Sequence, residues 1–303
     1  MRRAASTFIA IAGLAVLAIP ATASATPNVK FKATAVPIPG FKHTGNFFGA
    51  GAAVNAEYTI TGTEYYGAPA PLEHVNFYLP QGSELHPKGF TTCSESLINH
   101  KLAARCPKAS KAGPQGYVEG SVQFEKECPE GISGPECEAY EAHEKELVEK
   151  HEYHEWEKVR EWYGPHPAAG KPFRSPIQGY YTSRGLEFVT IGQHPVELYI
   201  ASAGSFKDLH GAGGHGPVFS GVVPLVESLP GAPYASVEAI SVKTGSAYKK
   251  GRKTYYYGTV PKKCPKHYLP VKTELTFAAV EYEGTEIPRE TVKKEYHAPC
   301  PRK

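Results

Sequence analysis

Val54-Asn55-Ala56-Glu57-Tyr58-Thr59-Ile60 (VNAEYTI) alternates apolar and polar side chains without a break. A β-strand sends successive side chains to opposite faces, so Val54, Ala56, Tyr58 and Ile60 share one face and the polar residues the other. The stretch therefore predicts a strand with one buried face. The same period runs upstream through Val29 to Ala35 (VKFKATA), and a Gly-punctuated loop, GNFFGAGA, separates the two.

Further strands are expected at Val75–Leu79, ended by Pro80, and at Gly116–Glu125. Gly185–Ala203 reads as two strands around Gly192. Val218–Leu225, Val237–Val242, Lys253–Val260, Val271–Val280 and Glu290–Tyr296 complete the series. Lys249-Lys250-Gly251-Arg252 is placed at a hairpin tip, and Thr92–Arg105 holds a short helix capped by Ser94. Many short strands with turn signals between them predict a mainly β fold, an antiparallel β-sandwich or an open barrel. The strand–helix alternation of a parallel α/β fold is missing.

Glu136 to Tyr163 (ECEAYEAHEKELVEKHEYHEWEKVREWY) breaks the pattern. Glu141–Lys145 and Glu146–Lys150 have the favourable i,i+4 order of a helix, and Val148, Trp156, Val159 and Tyr163 fall on one arc. Gly and Pro flank the stretch on both sides. The expected architecture is one β domain, residues 26–303, carrying a long charged α-helix inserted at 126–170. The aromatic end of that helix, with both tryptophans, is expected to dock on the β body.

The first residues carry Arg2 and Arg3, an apolar run from Phe8 to Ile19 and Ala23-Ser24-Ala25. That is the layout of a signal peptide, residues 1–25, too short to span a bilayer, and it places the protein outside the cell, free or surface-associated. No later stretch is apolar enough to span a membrane. Six cysteines fit an oxidising compartment, and six allow fifteen pairings. Spacing favours Cys93 with Cys106, Cys128 with Cys137, and Cys264 with Cys300 across a hairpin that turns near Glu283-Gly284.

The net charge of +3 is unevenly spread. Glu125–Tyr163 carries thirteen Glu against five Lys or Arg, whereas Lys243–Lys303 carries fourteen Lys or Arg against six Glu. The acidic segment and the basic strands could attract one another. Asp208 is the single aspartate.

Four stretches carry a resemblance: FKATAVPIPGFKHTGN, VNFYLPQGSELHPKGFTTC with CPKASKAGPQG, GAGGHGPVFSGVVPLVESLPGAPYASV, and SAYKKGRKTYYYGTVPKKCPK. In these the chain resembles uncharacterised secreted proteins of actinobacteria. The resemblance implies secretion and brings no site residues with it.

Several motifs fail on their mechanics. Gly211-Ala212-Gly213-Gly214-His215-Gly216 fits G-x-G-x-x-G, but Pro217 and a strand pattern follow where a dinucleotide site needs a helix. Lys243-Thr244-Gly245 and Ser246-Ala247-Tyr248-Lys249 match two signatures of penicillin-recognising enzymes in reversed order. His151-Glu152-Tyr153-His154-Glu155 puts its second histidine one place short of a zincin motif. Asp208 and His210 lie near Ser205 and Ser220, yet adjacency in sequence does not make a triad. No catalytic residue, metal ligand or cofactor is assigned.

The strongest candidate is YKKGRKTYYY: Tyr248, Lys249, Lys250, Arg252, Lys253, Tyr255 and Tyr257. Cations beside aromatic rings suit an anionic polysaccharide or cell-wall polymer more than nucleic acid; lysines at a hairpin also guard its edge against aggregation. The expected function is a non-enzymatic extracellular binding or structural module. The alternative is a secreted hydrolase with a loop-built site.

Overall fold

The computed structural model describes residues 26–41, 49–122, 171–192, 198–227, 233–264, 267–282 and 284–300. The strands are β1 (Asn28–Val36), β2 (Ala53–Thr61), β3 (Leu72–Pro80), β4 (Glu84–Leu85), β5 (Gly116–Val122), β6 (Lys171–Tyr181), β7 (Gly185–Gly192), β8 (Leu198–Lys207) and β9 (His215–Val222). They continue with β10 (Ser236–Thr244), β11 (Ala247–Lys250), β12 (Lys253–Tyr256), β13 (Gly258–Thr259), β14 (Tyr268–Phe277), β15 (Val280–Tyr282), β16 (Thr285–Ile287) and β17 (Glu290–Pro299). One α-helix, α1 (Glu95–Asn99), stands among the described residues.

Eleven strands form a single sheet in the order β1-β2-β10-β5-β6-β7-β8-β9-β3-β14-β17. Every neighbouring pair in it is antiparallel. A twisted sheet of more than about ten strands curls, and here β1 returns to lie beside β17. The result is a nearly closed barrel, which replaces the two-layer sandwich of the sequence reading and agrees with its open-barrel form. The long helical insertion expected at 126–170 lies outside the described residues, as does Cys128 with Cys137.

Val54, Ala56, Tyr58 and Ile60 do face inward, Ala56, Tyr58 and Ile60 being buried. They pair with β1 at Ala35, Ala33, Phe31 and Val29, whose alternation is the same. Leu269, Val271, Leu275 and Phe277 of β14 are buried from the other side. Phe31 ties the two flanks together, stacked on Tyr58 at 5.0 Å and meeting Phe77 and Tyr296 edge-on at 5.9 and 6.3 Å.

A smaller cluster sits on the outside of the wall. Ile98 and Ala103 pack with Tyr180 of β6 and Val189 of β7. Cys93 is bonded to Cys106 with their Cα atoms 5.2 Å apart, and the Tyr199 hydroxyl donates to the Ile98 carbonyl at 2.8 Å. Helix α1 begins just after Ser94, as expected, although the serine hydroxyl makes no capping bond. Cys264 and Cys300 are also bonded, with Cα atoms 6.1 Å apart, beyond the outer ends of β14 and β17. Between those strands β15 and β16 form a hairpin with Gly284 at its turn. No helix among the described residues is long and apolar enough to cross a membrane.

Candidate functional site

Inward positions that alternate large and small leave a cavity of about 240 Å³ inside the barrel. Ala33, Ala35, Ala56 and Gly221 hold the wall back, while Ile177, Phe188, Ile200, Phe219 and Val242 bound the space. Among the described residues its lining has one carboxylate, Glu84, and no histidine, lysine, arginine or cysteine. The polar side chains that reach it are mostly hydroxyls, such as Thr34, Thr190, Ser202 and Thr244. Tyr58 is buried with its hydroxyl 3.3 Å from Thr273 Oγ1, which in turn donates to the Asn76 carbonyl at 2.9 Å. Burial drives the Tyr58 phenol far above its ordinary pKa, the Thr273 contact opposing it, so it stays neutral. An apolar room of this kind suits an uncharged, apolar occupant.

One end of the barrel is stoppered. The chain after β12 runs across the ends of β2, β6 and β3, and Tyr257 lies face to face on Tyr181, ring centres 3.9 Å apart and planes 15° apart. Phe90 and Phe206 pack around it at 5.2 and 6.2 Å. Backbone bonds fix the stopper: His86 N–H to the Tyr257 carbonyl at 2.7 Å, Ala52 N–H to Gly258 at 3.1 Å, and Val260 N–H to Ala50 at 3.0 Å. The short β4–β13 ladder adds to this closure. Burial pushes the Tyr257 phenol up to about 12.

The wall parts toward the other end. β8 pairs with β9 only from Gly204 to Lys207, against Val218–Gly221. Among the described residues, β8 keeps only its β7 partner from Leu198 to Ala203, while β9 stays on β3 and continues as Val223, whose N–H reaches the Glu73 carbonyl at 2.8 Å. Both lips of this gap line the cavity: Ile200 and Ser202 on one, Val222, Pro224 and Leu225 on the other. Val222 is 47% exposed and Leu225 38%. Among the described residues, the break in the ladder thus borders the cavity.

The basic hairpin stands at the stoppered end. Tyr248 and Tyr255 stack at 5.0 Å with planes 8° apart, and Phe90 supports Tyr248 edge-on at 4.9 Å. Lys249, Lys250, Arg252 and Lys253 are exposed around the Gly251 turn. No carboxylate pairs with these four among the described residues. The structure therefore brings six of the seven candidate residues to one tip. Tyr257, the seventh, is buried and serves as the stopper.

The remaining motifs do not assemble. Gly211–Gly214 is a turn that leads into β9, and no helix of useful length follows. His210 meets Asp208 at 3.5 Å on an exposed loop, whereas Ser205 and Ser220 face each other across β8 and β9 and make no hydrogen bond to it. Ser246 donates to the Tyr181 hydroxyl at 3.2 Å. HEYHE lies outside the described residues. Among those described, no three His, Cys, Asp or Glu side chains gather as a metal site.

On the outer wall, the Tyr78 hydroxyl donates to Glu274 at 2.8 Å and Lys272 Nζ lies 2.7 Å from the same carboxyl. Burial, then the bond to Glu274 and its charge, push Tyr78 up to about 12. Burial alone would raise Glu274, but its bonds from Lys272 and Tyr78, with the nearby charges, hold it below the usual range.

The chain matches no family model, no curated protein and no solved structure. Its function has to be read from its own geometry. The cavity went unseen in the sequence, although small residues at inward places of strong strands, Ala33, Ala35 and Ala56, were its available signal. Volume left inside a barrel depends on all the strands at once.

Proposed function

We propose that the protein is a secreted, non-enzymatic binding protein whose barrel interior takes up an apolar small molecule. The supporting observation is the cavity of about 240 Å³ with its apolar lining. For scale, an apolar cavity of about 150 Å³ takes up benzene and otherwise stays dry. The test is titration with N-phenyl-1-naphthylamine, a dye that brightens in apolar surroundings. Saturable binding that is lost in Ile200→Phe/Val242→Phe, a variant that fills the space, supports the reading. Absence of saturable binding, or equal binding by a folded filled variant, overturns it.

A second surface has its own support, four exposed cations with no carboxylate paired to them among the described residues, beside the Tyr248–Tyr255 stack. It suits an anionic cell-wall polymer or polyuronate, with cations for the charges and ring faces for sugars. Such binding weakens as salt screens it. Lys249→Ala/Lys250→Ala/Arg252→Ala abolishes retention on immobilised polyuronate at low salt; unchanged retention refutes this role.

A further inference from the structure

We infer that the occupant of the barrel is a single-chain amphiphile, its alkyl tail inside and its head left in water at the gap between β8 and β9. The inference rests on reading the interior as a binding cavity and adds which ligand it takes and by what route.

The lining supports a tail and rejects a charged head. Burying an unpaired charge is costly, and the described lining offers no cation to meet an acid and, in Glu84, one carboxylate at the stoppered end. A charged or strongly polar head is therefore left outside. The gap supports a chain more than a bulky ring system. Leu198 to Ala203 have no described partner on the β9 side. At about 3.3 Å per residue the slot is roughly 20 Å long along β8, an elongated opening whose far lip is Val222 and the chain on to Leu225. Val222 and Leu225 already show apolar surface on its lip. The first methylenes of a chain threaded through the slot would cover that surface.

Volume sets the length. If about 150 Å³ takes the six carbons of benzene, the cavity of about 240 Å³ takes about ten.

The test is displacement of N-phenyl-1-naphthylamine by 1-alkanols of four to fourteen carbons. The expected Kd falls about fourfold per methylene, the equivalent of about 0.8 kcal/mol, and levels off near about ten carbons. If dye, naphthalene and adamantane bind but alkanol affinity does not change with length, the single-chain inference is wrong and the cavity reading stands. If neither dye nor any of these compounds binds, both fall.

The route is tested separately with Ala203→Cys/Val222→Cys, the next register position beyond Gly204 and Gly221. Cross-linking should slow entry and exit of 1-decanol together, relative to the same variant with alkylated thiols. Ser202→Trp, which narrows the slot from inside, should slow both rates as well. Unchanged rates in the cross-linked protein, or in folded Ser202→Trp if the cross-link does not form, overturn the gap as the route.

Discussion

Replacing Tyr257 separates its two contributions, ring packing and hydroxyl. The side chain is 7% exposed, stacks on Tyr181 at 3.9 Å and packs against Phe90 and Phe206. Truncating a buried aromatic residue to alanine costs about 3–5 kcal/mol, of which aromatic pairing contributes roughly 0.5–1.5 kcal/mol. Tyr257→Ala is thus expected to lose about 4 kcal/mol. Tyr257→Phe keeps the rings, and no described residue hydrogen-bonds the hydroxyl, so its cost should stay below about 1 kcal/mol. The backbone bond from His86 to the Tyr257 carbonyl survives in both. Urea unfolding followed by circular dichroism, with disulfides intact, gives the two differences from the midpoints at constant slope. A loss below about 1 kcal/mol for Tyr257→Ala would refute the stopper, because a ring packed on three others cannot be removed so cheaply. Equal losses for Ala and Phe would show that the hydroxyl carries the effect.

Four further outcomes follow from the barrel. Thr273→Val removes the donor to the Asn76 carbonyl and the Tyr58 contact, and should cost about 1–3 kcal/mol by the same unfolding assay. Removing the Cys264–Cys300 bridge as a double alanine variant should cost about 2–4 kcal/mol, read from the shift in the urea midpoint. Gly245→Ala should fold poorly, seen as loss of soluble yield: its φ is +138° and an added Cβ would sit 2.5 Å from the Ala53 Cα. Glu274 has its pKa lowered in the fold, so it stabilises above its unfolded value of 4.5, and that contribution fades as pH falls through the folded value. Acid unfolding of Glu274→Gln should accordingly lose less stability below about pH 4.5 than the parent does, and identical acid profiles would remove the carboxyl from the account.

Much of the strand inventory was legible because burial on one face imposes a period of two. VNAEYTI, VKFKATA and the alternation of β14 and β17 belong to strands whose inner sides meet the core and whose outer sides meet water. β6 was missed for a physical reason. Pro172 and Pro176 make KPFRSPIQGYY look like a loop, since proline cannot donate to a ladder. Both lie in the half of β6 that, among the described residues, has only β5 beside it; β7 joins from Ile177 onward. Proline is tolerated where no second neighbour needs its N–H. The hairpin cations were likewise legible, because charge and a turn are local properties. Tyr257 was misplaced with them because ring burial depends on Tyr181 and Phe90, which are distant in sequence.

The strand count explains the seam. Ten successive antiparallel steps reverse direction ten times, so the first and last of eleven strands, β1 and β17, run parallel. Hairpin connections join antiparallel neighbours, and this pair closes without a described ladder. Two exposed edges would ordinarily invite another chain, yet Lys30, Lys32 and Lys293 stand exposed along them, as edge strands commonly carry lysine against such pairing. Phe31 and Tyr296 fill the inner side of the seam instead. The opening between β8 and β9 differs in kind. It carries no such lysines between Leu198 and Ala203, and its lip shows Val222 and Leu225 to solvent. One break in the wall is guarded by charge and packed with rings, the other is apolar and borders the cavity. That contrast makes the second break the one suited to admit a ligand.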